Sequence, residues 1–157
     1  MSKTLVAYFS ATGTTARLAK TLAAATGADL YEITPAQKYS AADLDWTDHS
    51  SRASAEHNDL AARPAITGHV KDFASYDRVF VGFPVWWYRE PRIIDTFMES
   101  EDFASKTVIP FATSGGSPIG DSGKYMQALA PKAKVLKGER LNSSASESEL
   151  KKWAAQF

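Results

Sequence analysis

The sequence predicts one α/β domain, spanning residues 1–157, in which helices cover both faces of a parallel sheet. Three short segments, residues 5–9, 79–83 and 108–112, are almost continuously apolar, as strands buried on both faces are. Segments with helical spacing of apolar residues lie between them, so strand and helix alternate along the chain. The length suits one domain, and an apolar content of 44% is enough for an ordinary core.

Two weaker strand candidates complete the predicted sheet. Residues 30–33 alternate in polarity and residues 134–137 are bracketed by charge, as expected of edge strands. Five strands, two of them edge-like, fit a doubly wound sheet of order 2-1-3-4-5, in which the three apolar strands are central. Pro110 conflicts with a central strand because it has no N–H for the ladder, so we expect a local bulge there.

Four segments are predicted to be helices: residues 15–26, a segment opened by Pro91, residues 119–129 and residues 146–157. Gly27 is expected to end the first helix, and Ser146 with Glu149 has the spacing of a capping box at the start of the last.

The segment of residues 34–69 does not follow this alternation. It is long and polar, but apolar and aromatic side chains are scattered through it, so we expect an ordered excursion. These side chains are Tyr39, Leu44, Trp46, Leu60 and Ile66.

Composition excludes several classes of function. The chain has no cysteine, which removes disulfides, thiolate metal sites and iron–sulfur clusters, so redox chemistry would need a bound cofactor. Lys plus Arg and Asp plus Glu each total 18, and this balance argues against nucleic-acid binding. No apolar run approaches a membrane span or a signal peptide, so we expect a soluble cytoplasmic protein. The three histidines share no ligand spacing, and no metal site is predicted.

Ligands of open parallel sheets bind beyond the carboxyl ends of the strands, where the strand order reverses. The loop after the first strand consists of Ser10, Ala11, Thr12, Gly13, Thr14 and Thr15. Its hydroxyls precede a helix N-terminus, which favours an anion. The loop has neither the lysine of a nucleoside-triphosphate motif nor a Gly-x-Gly-x-x-Gly pattern, so it indicates a terminal phosphate ester. The alternative is an ordinary helix cap.

Two further loops follow the third and fourth strands. One comprises Pro84, Val85, Trp86, Trp87 and Tyr88, and the other comprises Thr113, Ser114, Gly115 and Gly116. The aromatic loop could stack on a planar ring, although its side chains could instead be core aromatics or a partner surface. The glycine loop could bring its amides close to a ligand, or simply form a tight turn. Together the three loops indicate flavin mononucleotide (FMN).

Residues 8–15, 82–88 and 110–117, with the stretch from 43–46 to 63–66, resemble the short bacterial flavodoxin-like family. The resemblance covers nearly the whole chain. It implies that the first loop holds the FMN phosphate, that residues 84–88 flank the isoalloxazine ring, and that residues 113–116 approach its pyrimidine side and the ribityl chain. Residues 88–92 are more charged than is usual in this family. We expect Arg89 to be a solvated side chain at a helix start rather than a flavin contact.

Two functions remain open at this point. The first is an electron-transfer flavodoxin that serves a redox partner protein. The second is an FMN-dependent oxidoreductase that takes electrons from NAD(P)H and passes them to a quinone or similar small acceptor. A flavin-binding sensor or interaction module is a third, weaker alternative. The neutral charge counts against the shuttle, since flavodoxins that steer to basic partners are usually acidic. No catalytic side chain is predicted, and both a monomer and a homodimer are compatible with the sequence.

Overall fold

A parallel sheet organises the computed structural model, which describes residues 3–157. The strands are β1 (Lys3–Tyr8), β2 (Asp29–Glu32), β3 (Tyr76–Pro84), β4 (Thr107–Thr113), β5 (Lys134–Val135) and β6 (Glu139–Arg140). The helices are α1 (Thr14–Thr26), α2 (Arg52–Asn58), α3 (Arg92–Ser100), α4 (Ser122–Leu129) and α5 (Glu147–Ala154), and a 3₁₀ turn, Phe73–Ser75, precedes β3. The strand order is β2-β1-β3-β4-β5, with β6 also paired to β4. This confirms the predicted order 2-1-3-4-5.

The sheet has a separate apolar core on each face, because alternate side chains of each strand point to opposite sides. Leu5 and Val79 lie in the core that includes α3, whereas Val6 and Phe80 lie in the core that includes α1 and α5. The three apolar strands are indeed the central ones, and their carboxyl ends therefore meet at one edge of the sheet.

The bulge predicted at Pro110 is absent. The β3–β4 register runs without a shift, and Val81 lies opposite Pro110. The irregularity lies instead beyond β4, where two short strands, β5 and β6, pair with β4 in place of one continuous strand. The backbone nitrogen of Pro110, which carries no hydrogen, faces β5 and β6 and cannot donate to them. Gly138, with φ of 74°, packs so closely against β4 that a Cβ on it would collide with the Pro110 carbonyl. The predicted single fifth strand is therefore two short strands.

The four predicted helices are present, with different limits. The capping box of Ser146 and Glu149 opens α5 as predicted, but the helix ends at Ala154 rather than Phe157. α4 begins three residues later than predicted, after Gly120, whose φ is 63°. Within residues 3–157, no helix has the length and apolar character needed to cross a membrane.

The segment of residues 34–69 is ordered, as predicted. It contains α2, and an antiparallel bridge between Pro35 and Ile66 closes it at its base. Tyr39 is buried in the main core, but Trp46 and Leu60 are each 71% exposed. The apolar side chains of this segment therefore divide into two groups, one that anchors it and one that faces outward.

Candidate cofactor-binding site

The three predicted ligand loops lie side by side at the carboxyl edge of the sheet. Phe9 donates its backbone N–H to the Gly82 carbonyl over 2.9 Å, and Val85 donates to the Thr113 carbonyl over 2.9 Å. The hydroxyls of Thr15 and Thr113 share a buried hydrogen bond of 2.8 Å. The loop after β1 is thereby connected to the loops after β3 and β4, so the structure brings the predicted residues into one region.

The loop after β1 presents unused backbone donors. Gly13 precedes α1 with φ of 95° and provides no side-chain cap, and its N–H donates to Ser10 Oγ over 3.1 Å. The amides of Thr12, Thr14 and Thr15 have no protein acceptor in the part of the chain that the structure describes. Free amides at a helix N-terminus, where the helix dipole is positive, form an anion-binding site.

The loop after β3 is a tight turn with unusual backbone angles. Trp86 and Arg89 exchange backbone hydrogen bonds of 3.0 and 3.3 Å, and Trp87 and Tyr88 between them have φ of 49° and 66°. Two successive residues with positive φ are typical of a type I′ turn, which normally takes glycine or asparagine. Large side chains in this conformation are costly, and such strain clusters at ligand sites.

Trp86 forms the base of this turn and packs, partly buried, against the core. Its ring makes edge-to-face contacts with Phe9 and Tyr39, with centroids 5.8 and 5.5 Å apart. Tyr39 comes from the segment of residues 34–69, and its hydroxyl donates to Glu56 over 2.5 Å. The Arg52 guanidinium lies 3.8 Å from the Tyr39 ring centroid. The segment of residues 34–69 and its helix α2 therefore pack against the base of the turn, through Tyr39.

Trp87 and Tyr88, at the tip of the turn, stand beside an open cavity. His57 stacks on Trp87 with a centroid distance of 4.7 Å, and Tyr88 is 64% exposed. The cavity has a volume of about 510 Å³. Its walls are formed by Leu44, Trp46, Ala53, Val85, Trp86, Trp87, Tyr88 and Ser117. We call it the ring cavity, because its size and aromatic lining suit a planar ring.

Several residues at this cavity were missed by the sequence analysis. Leu44, Trp46 and Ala53 reach it from the segment of residues 34–69, far from the three loops in sequence. His57 was considered only as a metal ligand, yet it covers one face of Trp87. The sequence offered one signal: Trp46 lies in a connection between strands that is unusually long for a compact domain.

The loop after β4 is held by an arginine that sequence reasoning also missed. Ser114 Oγ donates to the Ser117 carbonyl over 2.5 Å, and Gly116 donates its N–H to Ser114 Oγ over 3.2 Å. Arg140, on β6, donates to Ser114 Oγ over 2.9 Å and to the Ser114 carbonyl over 3.2 Å. Added Cβ atoms at Gly115 and Gly116 would meet nothing within 4 Å, so this part of the loop is open to a ligand.

The family model described as flavodoxin matches residues 3–157. The chain belongs to the flavodoxin family. No protein of curated function matches the sequence.

Solved structures agree with this membership. A candidate flavoprotein of Bacteroides uniformis is 54% identical with a TM-score of 0.92, over 98% of each chain. A candidate flavoprotein of Bacteroides eggerthii is 49% identical with a TM-score of 0.93, over 99% of this chain and 98% of that one. A flavoprotein of Lactobacillus acidophilus, solved in complex with FMN, is 24% identical with a TM-score of 0.74, over 98% and 99% of the two chains. This last likeness shows the shared fold.

In this flavodoxin-family chain, the prediction made for Arg89 is wrong. Arg89 is not a solvated side chain, because its guanidinium is only 15% exposed and lies 3.9 Å from the Tyr125 ring centroid. The backbone bonds that close the turn direct Arg89 inward, where it meets the Glu90 carboxylate at 3.2 Å. Burial, together with the neighbouring Asp95 carboxyl, raises the pKa of Glu90 to about 8. Burial, with the charges of Arg92 and Arg89, lowers the pKa of His57.

Proposed function

We propose that this protein binds one FMN at the carboxyl ends of β1, β3 and β4 and acts as a redox protein through it. The observation that carries the proposal is the juxtaposition of two features. A loop with free amides at the start of α1 and an aromatic cavity of about 510 Å³ lie at the same edge of the sheet. Thr113 links them, because its hydroxyl shares a buried hydrogen bond with Thr15 and its carbonyl accepts from Val85 in the cavity wall. An anion site beside a planar-ring site fits the phosphate and the isoalloxazine of a single ligand.

The residues present suit both ends of FMN. The amides of Thr12, Thr14 and Thr15 would bind the phosphate, with Ser10 and Gly13 fixing the loop. The ring cavity would take the isoalloxazine, and the open glycines of the loop after β4 would approach its polar edge. FMN would supply the electron chemistry that no side chain of a cysteine-free protein provides. The fold of the Lactobacillus acidophilus flavoprotein, which binds FMN, supports this assignment.

Electron transfer to a redox partner protein is the role proposed first. An NAD(P)H oxidoreductase that reduces a quinone or similar small acceptor is the second candidate, and two observations favour it. The balance of 18 basic and 18 acidic residues gives little steering toward a charged partner. Trp46 and Tyr88, both well exposed at the ring cavity, offer stacking surfaces that a small planar molecule could reach.

The test is FMN binding by the purified protein, followed by its visible absorption and by quenching of flavin fluorescence. Riboflavin is the matched ligand, because it carries the same ring without the phosphate. We expect retained FMN, with riboflavin binding at least about tenfold more weakly, since hydrogen bonds to a charged group contribute about 1.5–3 kcal/mol. Thr12→Glu should weaken FMN but not riboflavin, while Thr67→Glu, on an exposed residue of the segment of residues 34–69, should change neither. A protein that takes up no FMN contradicts the proposal.

The loaded protein then separates the two roles. Anaerobic mixing with NADH or NADPH, followed by a small quinone, measures turnover directly. Rapid nucleotide oxidation favours the oxidoreductase. Absence of turnover, together with fast reduction by an electron-donor protein, favours the shuttle.

A further inference from the structure

Four charged side chains are buried directly behind the turn that borders the ring cavity. Arg89 and Glu90 end the turn, and Arg92 and Asp95 lie on the first turns of α3. The exposed fractions of their side chains are 15%, 0%, 1% and 4%, respectively. We call them the charge cluster. Burying charged groups costs free energy, so four of them together beside a candidate ligand site indicate a functional role.

The charge cluster contacts the turn after β3, the end of α2 and α4. Arg92 donates to the carbonyls of His57 and Asp59, at the end of α2, over 2.6 and 3.1 Å. Arg89 contacts the turn, through its own backbone, and the Tyr125 ring on α4. A change of charge inside the cluster therefore acts on the same elements that position Trp87.

The cluster is incompletely paired. One polar atom of each side chain is buried without a hydrogen-bond partner among the described residues: Arg89 Nε, Glu90 Oε1, Arg92 Nη1 and Asp95 Oδ1. Two of these are carboxylate oxygens, which can only accept when ionised. Both carboxylates contact Arg89, because oxygens of Glu90 and Asp95 lie 3.2 and 3.9 Å from its Nη2. One proton held between these two carboxyls would give a donor to their unpaired oxygens. The two carboxyls of the cluster thus form a site that can bind one proton.

The charges facing this pair are mixed. Arg89 lies on the turn, Arg92 on α3 and Arg63 on the segment after α2, and all three act on the pair with positive charge. His57 and Tyr125 are the other titratable groups packed against the cluster. With both carboxyls ionised the four-residue cluster is neutral, and with one proton bound it is positive. The high pKa of Glu90 favours the protonated, positive form at neutral pH.

We propose that the Glu90–Asp95 pair holds one proton whose retention is coupled, through Arg89 and the turn, to the charge in the ring cavity. The inference rests on the proposed function, because electrons must enter that cavity for its charge to change. Electrons from an external reductant such as dithionite add negative charge there, and a nearby negative charge disfavours an ionised carboxylate. Above about pH 8, where the pair is ionised in the oxidised protein, it then takes up one proton. An O–H bond forms on a carboxylate, an O–H bond of water breaks, and hydroxide is released.

The first experiment follows the carboxyl itself. Carbon-detected NMR of protein with ¹³C-labelled glutamate carboxyls gives the titration of Glu90, and Glu90→Gln identifies its resonance. The titration is measured for the protein without cofactor, with oxidised FMN and with dithionite-reduced FMN. We expect a pKa well above the ordinary range of a glutamate, and an upward shift of about one unit on reduction. Glu99, whose side chain is 45% exposed, is the control position.

The second experiment measures midpoint potential against pH for the loaded protein. Wild type should show an added fall in potential above about pH 8, where reduction draws a proton from water. Glu90→Gln should lose this added slope, while Glu99→Gln keeps it. Asp95→Asn, which keeps the shape but removes the partner carboxylate, should also lose it.

Each outcome decides the proposal. An ordinary glutamate pKa at Glu90, or equal pKa values in the oxidised and reduced protein, overturns the coupling while FMN binding stands. Parallel potential curves for wild type and Glu90→Gln overturn it as well. If FMN does not bind at all, both the proposed function and the coupling are wrong. The Glu90 titration without cofactor then shows whether the proton site itself exists.

Discussion

The loop after β1 and the ring cavity are two halves of one candidate site, and they are built in opposite ways. The loop is local: its free amides arise from six consecutive residues and a helix that starts directly after Gly13. The ring cavity is assembled from the turn after β3, the loop after β4 and the segment of residues 34–69, whose lining residues precede the turn in sequence by more than 30 positions. A candidate phosphate site can therefore be proposed from a short motif, whereas a candidate ring site depends on packing that no single motif contains.

The largest expected effect concerns the ring half. Glu90 has a pKa near 4.5 when unfolded and about 8 when folded, so its contribution to stability is full below about pH 4.5 and is lost as the pH rises to about 8. Glu90→Gln cannot ionise and should become more stable than wild type over this range, by on the order of a few kcal/mol at pH 8. Urea unfolding of the cofactor-free protein at pH 5 and pH 8 measures this. A wild-type-to-variant difference that is the same at both pH values contradicts the prediction, and Glu99→Gln is the control.

The second effect concerns the phosphate half. Gly13→Ala places a Cβ on a residue with φ of 95°, which costs about 1–2 kcal/mol and shifts the amides that follow. FMN affinity should fall at least tenfold.

Gly27→Ala is the matched control, because Gly27 caps the other end of the same helix with φ of 68°. Both variants should lose similar stability by urea unfolding, but only Gly13→Ala should lose FMN in a fluorescence titration. Equal FMN affinity in the two variants would mean that the loop after β1 does not bind the phosphate.

The third effect tests the junction between the halves. Arg140→Met removes two hydrogen bonds that hold Ser114, each worth about 0.5–1.5 kcal/mol. FMN should bind several-fold more weakly, mainly through faster dissociation in stopped-flow measurements. Lys137→Met, on the neighbouring exposed lysine, should leave the dissociation rate unchanged. Unchanged dissociation in both variants would remove Arg140 from the site.

The smallest effect concerns the strain in the turn. Tyr88→Asn keeps φ of 66° at lower cost, because asparagine adopts this conformation more readily. Stability should stay level or rise by up to about 1 kcal/mol, while FMN affinity falls. Leu60→Asn, at a similarly exposed position outside the ring cavity, should change neither quantity. A Tyr88→Asn protein that is clearly less stable would show that the turn is not strained.

Prediction from the sequence succeeded where structure is local or strictly periodic. The apolar strands and the alternation with helices predicted the strand order, and Ser146 with Glu149 predicted the start of α5. It failed at Pro110, because a strand pattern does not say on which side a missing N–H lies. It also failed at Arg89, because the type I′ turn that directs this side chain inward is formed by residues that rarely adopt positive φ.

The site divides in the same way. Residues 10–15 and 113–116 could be singled out because a hydroxyl or glycine loop after a strand has a direct physical meaning. Trp46 and His57 could not be placed, since the segment that carries them has no periodicity to fix its path. The role of Arg140 could not be predicted for another reason: Ser114 becomes its neighbour only when β6 pairs with β4.

The split of the outer strand into β5 and β6 bears on how the sheet ends. A long, regular outer strand would expose a continuous row of backbone donors and acceptors, to which another chain could add by edge-to-edge pairing. Here two strands of two residues each are separated by residues 136–138, and Gly138 at the end of this gap has a positive φ, so the row of the outer strand is interrupted. The opposite edge, β2, is four residues long and begins and ends with acidic side chains, Asp29 and Glu32. Both margins of the sheet are therefore poor templates for aggregation.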